Sequence, residues 1–84
     1  MNSRHRKTLV AIFSLPVPTT LRWDRIEAIF VALGAEVIEG SGSRVGFRLK
    51  SQRADFHRPH PGKEAKPYQV RAAREFLERI GVTP

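Results

Sequence analysis

Three side chains in the second half of the chain, Arg44, His57 and His60, have the chemistry to act on a phosphodiester. A histidine can take a proton from a hydroxyl group near neutral pH, whereas an arginine stays protonated and cannot. An arginine can instead bind a phosphate through two hydrogen bonds and stabilise the charge that develops on it. The alternative for His60 is a structural role, in which the ring only orders its loop through a backbone hydrogen bond.

Basic residues concentrate in the same part of the chain. Residues 44–66 contain seven lysines and arginines and two acidic residues, a net charge of +5 out of +7 for the whole chain. Such a density of positive charge attracts nucleic acid through its phosphates. The alternative is an ordinary basic sheet surface that discourages edge pairing. The nucleic-acid interpretation predicts six RNA-binding residues: Arg44, Arg48, Lys50, Arg53, Arg58 and Lys63.

The composition excludes several other kinds of site. The 84 residues contain no cysteine, which excludes disulfides, cysteine zinc sites and thiol nucleophiles. The pair His57 and His60 has no evident third ligand, and zinc normally has three or four protein ligands. No paired carboxylates indicate a two-metal nuclease. We therefore expect neither a metal nor a cofactor.

The first residues superficially resemble a signal peptide, because the basic segment 4–7 precedes an apolar run at 9–15. That run is short, and Pro16 and Pro18 follow it where small residues would prepare a cleavage site. No segment is long enough to span a bilayer. We expect a cytoplasmic protein without membrane contact.

Apolar periodicity predicts three helices. The first is capped by Ser3 and ended by Pro16, and the second runs from about 22 to 33 and is closed by Gly34. The third begins at Pro67 and is closed by Gly81. Their apolar stripes are Leu9, Ile12 and Phe13; Ile26, Ile29, Phe30 and Leu33; and Val70, Ala73, Leu77 and Ile80.

The middle of the chain predicts three strands at 35–39, 44–50 and 53–58. Strict alternation directs Val45, Phe47 and Leu49 to one face. The expected fold is α+β, an antiparallel meander with all helices on one face, in a single domain spanning 1–84. Its solvent-exposed face is expected to carry Arg44, Arg48, Lys50, Arg53 and His57.

Four segments, in this order and spacing, resemble the HicA family. They are Trp23 to Ala35; Gly42 to Phe47, which reads Gly-Ser-Arg-Val-Gly-Phe; His60 to Glu64, which reads His-Pro-Gly-Lys-Glu; and Phe76 to Gly81. The resemblance covers residues 22–84, and residues 1–18 form a helical extension outside it. It implies a fold like the double-stranded RNA-binding domain, α-β-β-β-α. It further implies a ribonuclease toxin that cleaves mRNA and is neutralised by a HicB-like antitoxin.

The chain departs from the family pattern at one position. The family's catalytic histidine usually follows the Gly-Ser pair, where this chain has Arg44. The resemblance makes His60 the first replacement candidate, since the family often has a histidine before Pro-Gly. His57 is the second, because alternation places it on the basic face. The alternatives are a non-catalytic RNA-binding module and a domain that only docks an acidic antitoxin.

Overall fold

A computed structural model describes residues 1–84 and contains three helices and a three-stranded sheet. Strands β1, β2 and β3 pair in chain order, and both pairings are antiparallel. This confirms the predicted α+β fold, an α-β-β-β-α unit preceded by one more helix. The elements are α1 (Ser3–Ile12), α2 (Trp23–Ala32), β1 (Glu36–Glu39), β2 (Arg44–Leu49), β3 (Gln52–His57) and α3 (Pro67–Arg79).

Helix α1 begins one residue earlier than a Ser3 cap would allow. The side chain of Asn2 accepts a hydrogen bond from the backbone N–H of His5, at 2.8 Å, so Asn2 is the cap and the prediction for Ser3 was wrong. At the other end, Arg74 of α3 donates to the carbonyl oxygens of Ile12 and Ser14, at 2.9 and 3.1 Å. A cation on these free carbonyls is favourable, and it fixes α1 to α3.

The register of the sheet assigns its two faces. Val45 is opposite Phe56 and Phe47 is opposite Ala54, so the apolar residues of β2 and β3 lie on the face that packs against the helices. Arg44 is opposite His57 on the other face. The predicted alternation is therefore confirmed for both strands.

The core joins the helices to this sheet through aromatic contacts. The ring of Phe30 in α2 lies 4.9 Å from that of Phe47 and 5.2 Å from that of Phe76. The ring of Trp23 lies 4.9 Å from that of Phe56, and Trp23 is only 4% exposed, so it anchors the start of α2 in the core. The core thereby holds α2 and α3 against the strands that carry the candidate site.

Glycines close both predicted helix ends. Gly34 follows α2 with a φ of +96°, and Gly81 follows α3 with a φ of +81°. Both angles lie in the left-handed region that glycine adopts without a steric penalty. None of the three helices is long and apolar enough to cross a membrane.

Candidate nucleic-acid interface

A cleft at one end of the sheet is lined by Gly42, Ser43, Arg58, Pro59 and His60. It forms because the loop between β1 and β2 lies against the chain leaving β3. The backbone N–H of Arg58 donates to the carbonyl oxygen of Ser43 at 2.8 Å. This bond places the His60 loop beside the Gly-Ser turn.

The second histidine adjoins the same turn from the sheet side. His57, the last residue of β3, is exposed, and its Nδ1 lies 3.4 Å from Oγ of Ser43. Ser43 also lines the cleft that contains His60. The structure therefore brings both candidate histidines to one residue, Ser43, with Arg44 next in the chain.

Arg58 is placed differently from the prediction. Strand β3 ends at His57, and the Arg58 guanidinium contacts two carboxylates, Glu39 at 2.8 Å and Glu27 at 2.6 Å. The hydrogen bonds that Arg58 donates raise its pKa, the bond to Glu39 having the larger effect and the bond to Glu27 the smaller one. The same contact lowers the pKa of Glu39. With a side chain 33% exposed, Arg58 joins α2, β1 and the His60 loop. This role in holding elements together competes with the predicted role in RNA binding.

The exposed face of the sheet is less basic than expected. Arg48 is paired with Glu36, with 3.1 Å between Nε and Oε1, and Arg53 is paired with Asp55 at 2.9 Å. The hydrogen bonds that Arg53 donates to Asp55 raise the pKa of Arg53. Counting Arg44, this face carries three arginines against two carboxylates, a net charge of +1.

Lys50 does not lie on that face, and the prediction that placed it there was wrong. Strand β2 ends at Leu49, and Lys50 enters the turn with a φ of +51°. Its Nζ donates to the carbonyl oxygen of Ile80, at 3.2 Å, just beyond α3. Alternation therefore fails at Lys50 because the turn reverses the side chain's direction.

Lys63 lies in a second concavity, at the start of α2. The backbone N–H of Trp23 donates to the carbonyl oxygen of Lys63 at 2.9 Å, and the N–H of Ala65 donates to Leu21 at 2.7 Å. These bonds attach the loop after β3 to the first turn of α2. The concavity is lined by Arg22, Trp23, Asp24, Glu27, Arg58, Pro59, Gly62 and Lys63.

Gln69 positions the loop and was missed by sequence analysis. It is 1% exposed, and its Nε2 donates to the carbonyl oxygen of His57 at 2.6 Å. Its Oε1 accepts from the backbone N–H of Lys66 at 2.9 Å. One side chain thus connects both ends of the segment that contains His60. The available signal was a polar residue directly before Val70, in an otherwise apolar stripe of α3.

Two further roles, base stacking and metal binding, depend on the exposure of aromatic rings and on the number of nearby ligands. Tyr68 is 56% exposed in the first turn of α3, while Trp23 is buried, so of these two only Tyr68 has a ring that could stack on a base. No group of three histidine, aspartate or glutamate side chains could hold a metal ion, so His57 and His60 do not acquire a third ligand by folding.

A small α+β domain with basic loops at one end of its sheet is a class that includes nucleic-acid-binding proteins. The family model described as the HicA toxin of bacterial toxin-antitoxin systems matches residues 23–82, which is 60 of the 84 residues. The chain therefore belongs to the HicA toxin family, and an antitoxin is the partner that this membership implies. Comparison with curated proteins and with solved structures finds no match.

Proposed function

We propose that this chain is an endoribonuclease toxin that cleaves mRNA without a metal ion and is neutralised by a HicB-like antitoxin in the cytoplasm. The supporting observation is the position of Ser43, which adjoins His57 and lines the cleft of His60. Two proton-transfer groups on either side of one short loop suit a reaction that needs a base and an acid. Membership of a toxin family supplies the biological setting.

In the proposed reaction, a scissile phosphate lies on the Gly42–Ser43 turn, with the Arg44 guanidinium as its counter-charge. His60 takes the proton of the ribose 2′-hydroxyl, whose oxygen attacks the adjacent phosphorus. The bond from phosphorus to the 5′-oxygen breaks, and His57 gives that oxygen a proton. The products are a 2′,3′-cyclic phosphate and a 5′-hydroxyl. Arg44 stabilises the charge of the pentacovalent phosphorus without exchanging a proton.

Metal-independence is proposed because the donor set is wrong for a metal. Two histidines without a third ligand make a weak zinc site, and the carboxylates near the cleft, Glu27 and Glu39, are both bound to Arg58. Proton transfer by imidazole needs no other group. No cofactor is required by the proposed reaction.

The second candidate function is RNA binding without cleavage. The observation in its favour is Arg44, which occupies the position where the family resemblance expects the catalytic histidine. An arginine there preserves a phosphate contact and removes a base. The alternative of a domain that only docks an antitoxin would be contradicted by salt-dependent binding to generic RNA.

The experiment is an RNA cleavage assay of the purified protein in the presence of a chelator. The parent, His60→Ala, His57→Ala and the control His5→Ala are compared, since His5 lies on α1 outside the cleft. We expect the parent and His5→Ala to cleave, and His60→Ala to lose at least about a hundredfold in rate while still binding RNA. Normal cleavage by His60→Ala would contradict the assignment. Salt-dependent binding without cleavage by the parent would favour the second candidate.

A further inference from the structure

Three concavities have arginine or lysine in their linings: one beside the N-terminal helix, one at the start of α2 and one that contains His60. The first is lined by Ser3, Arg4, Lys7, Thr8 and Arg25. The second is the concavity at the start of α2. Its lining includes Asp24, which precedes Arg25 of the first concavity in the chain. The second and the third, which contains His60, share Arg58 and Pro59. We call the three together the basic groove.

The lining of the basic groove has a strong excess of positive over negative charge. Its lining has six lysines and arginines against two carboxylates, a net charge of +4 out of +7 for the chain. Both carboxylates are already bound by arginine, Asp24 by Arg22 at 2.8 Å and Glu27 by Arg58 at 2.6 Å. The exposed face of the sheet, by comparison, carries a net charge of +1.

The end formed by α1 is entirely cationic. Residues 1–23 contain no aspartate or glutamate, and Arg4, Lys7 and Arg25 form no ion pair. Three cations without an ion-pair partner around one concavity repel one another, and an anion placed among them offsets that repulsion. This end of the groove lies on an element outside the matched range 23–82, apart from Arg25 itself.

The helix that carries Arg4 and Lys7 is packed against the rest of the protein. Thr8, Leu9 and Ile12 are buried against the rest of the protein. Arg74 donates to the carbonyl oxygens at the end of this helix. A fixed array binds a polyanion with less loss of entropy than a mobile one does.

We propose that the basic groove is the path of single-stranded RNA, with phosphates bound by Arg4, Lys7 and Arg25 several nucleotides away from the phosphate at His60. This inference rests on the proposed function. The chemistry favours RNA over an acidic protein, because the groove is lined by polar groups and its one aromatic residue, Trp23, is 4% exposed. A protein partner would need an apolar anchor site at the centre, whereas a phosphate chain needs only spaced cations.

The test compares two variants that lose equal charge. Arg4→Gln/Arg25→Gln removes two groove cations, and Arg6→Gln/Arg71→Gln removes two exposed cations from outside the groove. The probes are 2′-O-methyl oligonucleotides, which lack the attacking hydroxyl, with lengths of about 4 and about 16 nucleotides. Their affinities are measured between about 50 and 300 mM salt.

We expect Arg4→Gln/Arg25→Gln to bind the long probe about tenfold more weakly, and to lower the slope of log K against log salt by about 1.4. Its affinity for the short probe stays within about twofold of the parent's, and the control variant changes neither affinity by more than this. Equal effects of the two variants on the long probe would overturn the path along α1. The path would also be overturned if polyglutamate competed with the long probe as effectively as an RNA of equal charge does.

Failure of the inference and failure of the proposed function give different results. A parent protein that cleaves RNA, together with indistinguishable double variants, would overturn only the path along α1. A parent protein that neither cleaves RNA nor binds the long probe in a salt-dependent way would overturn the proposed function and the path with it.

Discussion

Arg44 and His57 are directly opposite each other on the exposed face of the β2–β3 pair. Residues opposed in this way have Cβ atoms about 5 Å apart, close enough to contact the same phosphate group. The Nδ1 atom of His57 lies 3.4 Å from Oγ of Ser43, the residue that precedes Arg44. The arginine that replaces the expected histidine is therefore adjacent to another histidine, and the proposed mechanism divides phosphate binding and proton transfer between these two neighbouring strands.

For a parent protein that binds RNA without cleaving it, the second candidate function, this relationship predicts that Arg44→His introduces cleavage. The new imidazole would start β2 beside Ser43 and opposite His57, where it can take a proton near neutral pH. We expect the rate of RNA cleavage to rise by about tenfold or more above background, because a well-placed base contributes a hundredfold or more. Single-turnover cleavage of a defined RNA measures this rate. Arg44→Gln, which removes the charge and adds no base, is the matched control, and an equal rise in that variant would contradict the explanation.

Sequence periodicity was sufficient for the fold because the core is locally encoded. Val45, Phe47 and Phe56 alternate along their strands, and the stripe of α2 brings Phe30 onto them. The glycine at the end of each of the two helices also follows from local geometry. The same local rules failed at Lys50, where a turn redirected the side chain.

Long-range pairing of charges could not be predicted. Arg58 meets Glu27 from 31 residues earlier in the chain and Glu39 from 19 residues earlier, and no local pattern indicates either contact. The basic groove has the same origin, since Arg4 and Lys7 reach Arg25 only through the packing of α1 on α2. The proximity of the candidate histidines to the Gly-Ser turn could be predicted, because an antiparallel meander places the last residues of β1 and β3 at the same end of the sheet.

The position of charge in the fold predicts that Lys63 contributes more to RNA binding than Arg48 does. Lys63 forms no ion pair and lines the basic groove, whereas Arg48 is paired with Glu36 on the sheet. Lys63→Ala should weaken the binding of an RNA of about 16 nucleotides and lower its salt slope by about 0.7. Arg48→Ala serves as the control of equal charge. A larger loss of slope in Arg48→Ala would restore the exposed sheet face as the main binding surface.

The pair of Glu39 and Arg58 predicts a dependence of stability on pH. Because Arg58 lowers the pKa of Glu39, the folded protein holds this carboxylate ionised at pH values where the unfolded chain protonates it. The stabilisation is present above about pH 4.5, the ordinary value, and is lost as the pH falls through the lower folded value. Glu39→Gln should therefore flatten the fall in Tm below about pH 4.5, as measured by circular dichroism. The control is Glu75→Gln, which changes an exposed residue of α3 that forms no ion pair and should leave the fall in Tm unchanged. If Tm fell identically in Glu39→Gln and in the parent, the pair of Glu39 and Arg58 would be excluded as the cause.

Gln69 predicts a separation between global stability and order in the His60 loop. Replacing Gln69 with leucine keeps the buried volume but leaves the carbonyl oxygen of His57 and the N–H of Lys66 without their side-chain partner. We expect a loss of about 1 to 3 kcal/mol in the free energy of unfolding, with faster hydrogen exchange concentrated in residues 58–66. The rate of cleavage should fall by a larger factor than the affinity for RNA, because the basic groove stays intact while His60 loses its fixed position. Glu75→Ala on the same helix is the stability control. If exchange in Gln69→Leu rose uniformly over the whole protein, then Gln69 would support the core in general rather than the loop that carries the proposed base.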